Sequence, residues 1–242
     1  MQFPEVLLPA RPIHARMTDR TLYHHPEKYD VQIDRTIPHY RDFLEETIGL
    51  LRSMERPPKL WLDTGCGTGA IVNMALDSFP STRFILADPS EKMLEQARNK
   101  LEGHERVTFL APTCTQDLKG LVTERPDVIT AIQCHHYLSR EDRKKAVDVC
   151  FDLLAEDGTF VTFENIRPFT DLGIGIGKKR WGRYQSAMGK GEADVEKHLA
   201  RFDSVYFPIT AEEHLALLRG AGFRAVELLW YSHMQAGFYC LK

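Results

Sequence analysis

Several things are scarce in this 242-residue chain, and each scarcity narrows the reading. No apolar run approaches the roughly 18 residues of a membrane-crossing helix, so no helical span is expected. The start, "MQFPEVLLPARPIHARMT", lacks the order of basic residues, apolar core and small residues that marks a secretory signal. There is no C-x-x-C pair; the five cysteines, Cys66, Cys114, Cys134, Cys150 and Cys240, are scattered and odd in number. That pattern predicts a reduced, cytoplasmic protein with buried thiols and no metal site. There is no long basic run, and the net charge is −3, which argues against nucleic acid as the partner. The one local exception is "GKKRWGR", Gly177 to Arg183, which reads as a solvated loop. Repeats and low-complexity segments are absent too.

What is present is 43% apolar residues in an alternating pattern of strands and helices. "KLWLD" reads as a short buried strand, followed by glycines and the helix "AIVNMALDSF". "TRFILAD" is a second strand. "SEKMLEQARNKL" is a helix with Ser90 as N-cap and an apolar face of Met93, Leu94, Ala97 and Leu101. "RVTFLA" and "DVITAIQ" are strands three and four; an amphipathic helix runs from Arg140 towards Gly158, and "GTFVTFENI" is strand five. Alternation of this kind predicts a mostly parallel sheet covered by helices on both faces. Thr210 and Glu213 spell a capping box for the last helix. "RAVELLWYS" and "GFYCLK" are joined by too few residues for a parallel crossover, so the closing pair is expected to be antiparallel. The fold class is therefore α/β: a Rossmann-like, seven-stranded, mostly parallel sheet with an antiparallel last strand. Two segments break the rhythm. "YDVQIDRTIPHYRDFLEETIGLLRSM" reads as a helical cover. The stretch from Pro168 to Pro208 is too long for a bare loop and predicts short helices over one sheet edge.

The densest signal is "LWLDTGCGTGA", Leu60 to Ala70. Glycines at 65, 67 and 69 after the first strand place a tight loop where open parallel sheets bind ligands. Its spelling also satisfies a dinucleotide fingerprint. Two carboxylates bear on the choice. Asp63 opens the loop, where it would repel a pyrophosphate but suit a ligand carrying an ammonium group. Asp88 ends the second strand, where a carboxylate accepts hydrogen bonds from ribose hydroxyls and fits either ligand.

"LDTGCGTG", "LADPSEKMLEQARNKL", "PDVITAIQCHHYL", "LLAEDGTFVTFEN" and "HLALLRGAGF" together resemble the class I S-adenosylmethionine-dependent methyltransferases, in motif order over residues 59–242. "IDRTIPHYRDFL" and the late "RWGRYQSAMG…ARFDSVYFPITAEEHLALLRGAGF" are similar to small bacterial and archaeal methyltransferases related to carboxy-S-adenosylmethionine synthase. The synthase's modified glycine loop is not found; "GCGTG" looks like the ordinary methyl-donor form. The resemblance implies S-adenosyl-L-methionine as donor and S-adenosyl-L-homocysteine as product. It implies a cover over residues 1–58 and a methyltransferase domain over 59–242, with a helical lid at about 168–208.

By the same resemblance Asp63, Gly65, Gly67 and Gly69 hold the methionine part, Asp88 the ribose, and Pro89 and Met93 line the adenine and ribose pocket. Gln133 lies beside the sulfonium. Where the family carries an aspartate near adenine, this chain has Thr113 and Cys114, with Asp117 as an acid that reaches back. His136, where relatives often carry a histidine, Glu164 at the end of strand five and Tyr184 are the catalytic candidates. His135, Arg183 and Arg201 are candidates for holding substrate, Arg201 because it matches an arginine that meets a carboxylate in the synthase-like relatives. Each has a bland alternative as a capping, packing or surface residue. Trp181, Tyr184, Phe202 and Tyr206 are expected to wall off water, and the glycines of the inserted segment to act as hinges. The acceptor is expected to be a small molecule. A carboxy-donor synthase or a tRNA-modification enzyme is the alternative, and a homodimer is compatible with either.

Overall fold

The structure, a computed structural model, describes residues 29–242; the part of the expected cover before Tyr29 lies outside the described residues. Strands β1 (Leu60–Thr64), β2 (Arg83–Ala87), β3 (Val107–Phe109), β4 (Val128–Ile132) and β5 (Thr159–Asn165) run parallel. Strands β6 (Ala225–Ser232) and β7 (Gln235–Leu241) close the sheet as an antiparallel pair, with β7 also antiparallel to β5. The order is β3-β2-β1-β4-β5-β7-β6. The chain leaves β1 towards β2 on one side and later returns to β4 on the other. The crevice above β1 and β4 is thus the point where strand order reverses.

Period-two alternation explains how one sheet serves both layers. Trp61 packs with Val72, Leu76, Phe84 and Leu94 on one face, against α3 (Ala70–Ser78) and α4 (Glu91–Lys100). Leu62, its neighbour, packs with Ile129, Val147, Phe160 and Phe238 on the other, against α5 (Arg140–Leu153) and α8 (Ala211–Gly220). All five residues of β1 are buried, as expected of a central parallel strand. The caps read from the sequence are in place: Ser90 Oγ accepts from the Met93 amide, and Thr210 and Glu213 form the reciprocal capping box. Ser139 Oγ adds another, accepting from the Asp142 amide.

Two expectations are corrected. The segment before β1 is two helices, α1 (Tyr29–Thr36) and α2 (Tyr40–Arg52), not one. Pro38 has no amide hydrogen to continue the ladder, and His39 turns into the left-handed region at φ 61°. The glycines after β5 are not hinges. Gly173, Gly175, Gly177 and Gly182 lie inside one 17-residue helix, α6 (Asp171–Ala187). At two of them the missing side chain serves packing: a Cβ on Gly177 would stand 2.7 Å from Met234 Sδ, and one on Gly182 would stand 3.2 Å from Leu199 Cδ1. Only Gly189, at φ 83°, turns the chain between α6 and α7 (Glu192–Leu199).

A third core cluster joins α1, α2 and α6 to the sheet through Phe43, Val161, Phe163, Trp181, Tyr206 and Met234. Trp181 Nε1 and Gln185 Nε2 both donate to the Thr36 carbonyl, at 2.7 and 3.0 Å, which fixes the end of α1 against α6. No helix among the described residues is long and apolar enough to cross a membrane.

Candidate active site

The carboxyl ends of β1, β2 and β4 open into a cleft with about 850 Å³ of empty space, its mouth included. That is within the range of ligand pockets, roughly 300–1,000 Å³. One wall is the glycine loop. Gly65, Gly67 and Gly69 adopt φ of 63°, 53° and 74°, a left-handed conformation that L side chains rarely take. Each glycine has a different surrounding. A Cβ on Gly65 would lie 2.4 Å from Cys134 Cβ, so this glycine lets the loop touch the turn after β4. A Cβ on Gly67 would meet nothing within 4 Å and would point into open space. Gly69 packs on Leu101 and Ala97 beneath the loop.

Asp88, 5% exposed, holds the loop in place: Oδ2 accepts from the Gly67 amide at 2.9 Å and Oδ1 from the Ser90 amide at 2.8 Å. Burial pushes its carboxyl up to about 6, against the pull of those two bonds. Asp63 is buried deeper. Trp61 Nε1 donates to Thr130 Oγ1 at 2.9 Å, and Thr130 Oγ1 donates to Asp63 Oδ1 at 2.6 Å. Asp63 Oδ2 has no hydrogen-bond partner, and burial pushes this carboxyl up to about 7. The group faces a smaller recess that shares Tyr29, Gly65, Gly67 and Ile132 with the cleft. A buried carboxylate oxygen left unsatisfied beside a cavity is a costly arrangement unless a ligand completes it.

Asp30 clips α1 over the loop. Thr68 Oγ1 donates to Asp30 Oδ1 at 2.6 Å, and Lys100 Nζ lies 2.6 Å from Asp30 Oδ2. Tyr29, next to it, therefore lines the cleft.

The opposite wall is the turn after β4. Gln133 sits at φ 57° with its amide on the Phe163 carbonyl at 2.7 Å, which throws the chain into a 3-10 turn over His135–Tyr137. Glu164, fully buried, anchors that turn. It accepts from the His135 amide at 3.0 Å, the His136 amide at 2.9 Å and His136 Nδ1 at 2.6 Å. Burial alone pushes Glu164 up, but the His136 bond and the neighbouring imidazoles outweigh it and hold the carboxyl below its ordinary range. Burial lowers both His135, to about 4, and His136, so the His135 ring is neutral at pH 7. Arg143 braces the turn from beneath, donating to the His135 carbonyl at 3.1 Å and to that of Phe207.

The cleft thus unites Gly65, Gly67, Asp88, Pro89, Met93, Cys114, Gln133, His135 and Arg201 from the sequence candidates. Others lie elsewhere. His136 and Glu164 do not line it; their rings and oxygens are spent on each other, on Asn165 and on the backbone of the turn. The expectation that they face the crevice is corrected: strand β5 carries Glu164 beneath the turn rather than beside its opening. Tyr184 donates to the Asp34 carbonyl at 2.6 Å, and Arg183 is exposed; neither reaches the cleft. Trp181, Phe202 and Tyr206 belong to the third core cluster and do not line the cleft. Thr113 is spent on the Asp88 carbonyl through its amide, at 3.1 Å, and Asp117 is exposed; neither lines the cleft.

Sequence reasoning missed Tyr29, Thr115, Gln116 and Tyr137, all in the lining. Thr115 Oγ1 lies 2.7 Å from Thr64 Oγ1 and 3.2 Å from His135 Nε2, tying the loop after β3 to both walls. Its position two residues after the expected adenine contact was the available signal.

The chain is similar to known proteins. A family profile described as a methyltransferase domain matches residues 62–160. The carboxy-S-adenosyl-L-methionine synthase of Nautilia profundicola is 24% identical, over 88% of this chain and 90% of its own. That of Helicobacter hepaticus is 25% identical, over 84% and 85%. Among solved structures, the plantazolicin methyltransferase BamL, in complex with a triazolic desmethylPZN analog and SAH, superposes with a TM-score of 0.67 at 17% identity, covering 94% of this chain and 95% of that one. Human N-acetylserotonin methyltransferase in complex with SAM superposes with a TM-score of 0.61 at 13% identity, covering 95% and 60%.

Proposed function

We propose that this chain, a class I S-adenosylmethionine-dependent methyltransferase, holds its donor between the glycine loop and the turn after β4 and passes the methyl group to a small-molecule acceptor. The observation that carries the site assignment is the pairing of Asp63 and Asp88. One buried carboxylate has an unsatisfied oxygen facing a recess, and the other lies beside the open backbone of Gly67. A donor with an ammonium at one end and a ribose diol in the middle fits that pair. Asp63 would take the ammonium and Asp88 the ribose hydroxyls. Met93, Cys114, Thr115 and Gln116 would enclose the adenine, and Ile132 and Gln133 would flank the sulfonium.

The sulfonium supplies an activated methyl group, so transfer is an in-line displacement. The protein's part is to align the acceptor and keep water out. Tyr29, His135, Tyr137, Leu138 and Arg201 form the remaining wall and would meet the acceptor. A neutral His135 at the cleft would orient the acceptor by hydrogen bonding rather than take its proton, since burial disfavours the charged ring, and the buried His136–Glu164 pair serves to position the turn. Tyr29 of α1 and Arg201 after α7 would cover the cleft, with α6 bracing α1 from behind, and no membrane or nucleic acid is required. The cytoplasm is the compartment that five free thiols suit best.

Two outcomes test the site. Asp88→Ala weakens S-adenosylhomocysteine by about 1–3 kcal/mol, the range for lost hydrogen bonds to a charged group; isothermal titration giving the parental affinity would remove Asp88 from the site. The second concerns pH. Asp63 and Asp88 must be ionised to accept ammonium and hydroxyl protons, and burial raises them to about 7 and 6. Donor affinity therefore falls as pH drops below 7, approaching about tenfold per pH unit for each carboxylate that must lose a proton. A flat profile between pH 5.5 and 7.5 sinks the pairing.

The function itself is tested by a transfer screen with methyl-labelled donor over cell metabolites. Because the relatives named above are carboxy-S-adenosylmethionine synthases, the nucleoside products are identified by mass. S-adenosylhomocysteine marks methyl transfer; a carboxylated donor marks the synthase reaction.

A further inference from the structure

Four residues border both the cleft and the smaller recess beside Asp63: Tyr29, Gly65, Gly67 and Ile132. A donor with its ammonium on Asp63 and its ribose on Asp88 passes all four. Gly65, Gly67 and Ile132 belong to the glycine loop and β4, whereas Tyr29 opens the first turn of α1. The recess has about 320 Å³ of empty space, its mouth included, and Tyr40, Leu44 and Thr68 complete its walls. Asp63 and Thr68 are each only 1% exposed. The seat for the ammonium is therefore covered by protein.

The elements of this cover are held by different kinds of contact. Helix α2 packs through Phe43, Leu44, Ile48 and Leu51, all buried, and Asp88 pins the glycine loop at Gly67. The end of α1 is fixed by the two donors on the Thr36 carbonyl and by Tyr184 on that of Asp34. Its first turn is tied to the loop by a polar clip. Thr68 Oγ1 donates to Asp30 Oδ1 at 2.6 Å and accepts from Lys100 Nζ at 2.9 Å; Lys100 Nζ also stands 2.6 Å from Asp30 Oδ2. This triangle joins α1, the loop between Gly67 and Gly69, and the last residue of α4. Its ion pair is open to water, with the Asp30 side chain 49% and that of Lys100 24% exposed. Pairs of this kind are weak and are screened by salt. The clip can therefore open while the Thr36 end of the helix stays packed.

We infer that the first turn of α1 is a gate for the donor, latched to the glycine loop by Asp30, Thr68 and Lys100 and swinging about the end that Thr36 fixes. This rests on the donor site proposed above and says how the donor enters and leaves it. Asp30 and Lys100 are positioning residues, acting through Tyr29. The latch is made of protein atoms alone, so it resists opening equally for entry and for release. Weakening it speeds both steps and leaves their ratio, the affinity, as it was.

The test measures association and dissociation rates of S-adenosylhomocysteine on the immobilised full chain by surface plasmon resonance. Asp30→Ala and Lys100→Met, one on each side of the clip, are each expected to raise both rates by about fivefold, with Kd within about twofold of the parent. Asp30→Asn, which keeps an acceptor for Thr68 and loses the charge, repeats the measurement should either variant fold poorly. Raising the ionic strength is expected to speed both rates in the parent and to leave the variants as they were. The exposed pair is screened, whereas the buried seat at Asp63 is screened much less. Unchanged rates in the folded variants reject the latch. So does a rise in dissociation alone with affinity lost in proportion, which would make the clip part of the donor's own binding contacts. A parent that does not bind S-adenosylhomocysteine would overturn the donor site itself, a failure distinct from parental binding with rates that the variants do not move.

Discussion

Glu164→Ala lowers the stability of the folded protein by about 3–5 kcal/mol, the range for removing one partner of a buried charged network. The side chain is fully buried and takes two backbone amides, His136 Nδ1 and the Thr162 hydroxyl, the last at 3.2 Å. Alanine leaves those donors without an acceptor. It also leaves Arg143, 2% exposed, without the Glu164 charge that favours its cationic form. Glu164→Gln keeps one carbonyl acceptor and loses less. The pH dependence follows in sign. The folded Glu164 carboxyl lies below its ordinary value of 4.5, so its contribution is complete above that pH and is lost as pH falls. Urea denaturation of the parent, the alanine and the glutamine variants checks the order. A loss below about 1 kcal/mol in Glu164→Ala would mean the turn is held by other contacts. Because the turn carries His135 and Tyr137 into the cleft, the glutamine variant is the one in which acceptor handling can still be measured.

Gly67→Val abolishes donor binding, by about a hundredfold or more, while leaving the core intact. The added side chain meets no protein atom within 4 Å of its Cβ, so it projects into the cleft where the donor would approach the loop backbone. The φ of 53° adds strain for a β-branched residue. Gly67→Ala separates the two effects, having the strain with little of the bulk, and should bind donor with intermediate affinity. Thermal melts establish that each variant is folded, and titration with S-adenosylhomocysteine gives the affinity. A folded valine variant that binds as tightly as the parent would move the donor away from this loop. Gly65 is a poorer probe, since its substitution collides with Cys134 and disturbs both walls together.

The sequence determined the sheet, its reversed ending, the glycine loop and the two carboxylates, because each is encoded by neighbours. Strand alternation, helix caps and the spacing of Asp63 to Gly69 are local patterns whose geometry follows from the backbone. Pro38 was equally readable as a helix break, yet the apolar periodicity on either side concealed it. Tertiary structure decided which side chains of adjacent residues face the cleft. His135 and His136 are indistinguishable as letters in a row. Only the position of Glu164, one strand over and beneath the turn, sends the second ring inward and leaves the first at the opening. The helical glycines show the same limit. Alone they suggest hinges, but all four lie within one helix, where Met234 presses against Gly177, and Leu199 and Val195 against Gly182. Arg201 lines the same cleft as the glycine loop for the same kind of reason. Gly65 and Gly67 lie more than a hundred residues before it, and no local rule brings the end of α7 to that place; the burial of Trp181 and its bond to Thr36 do.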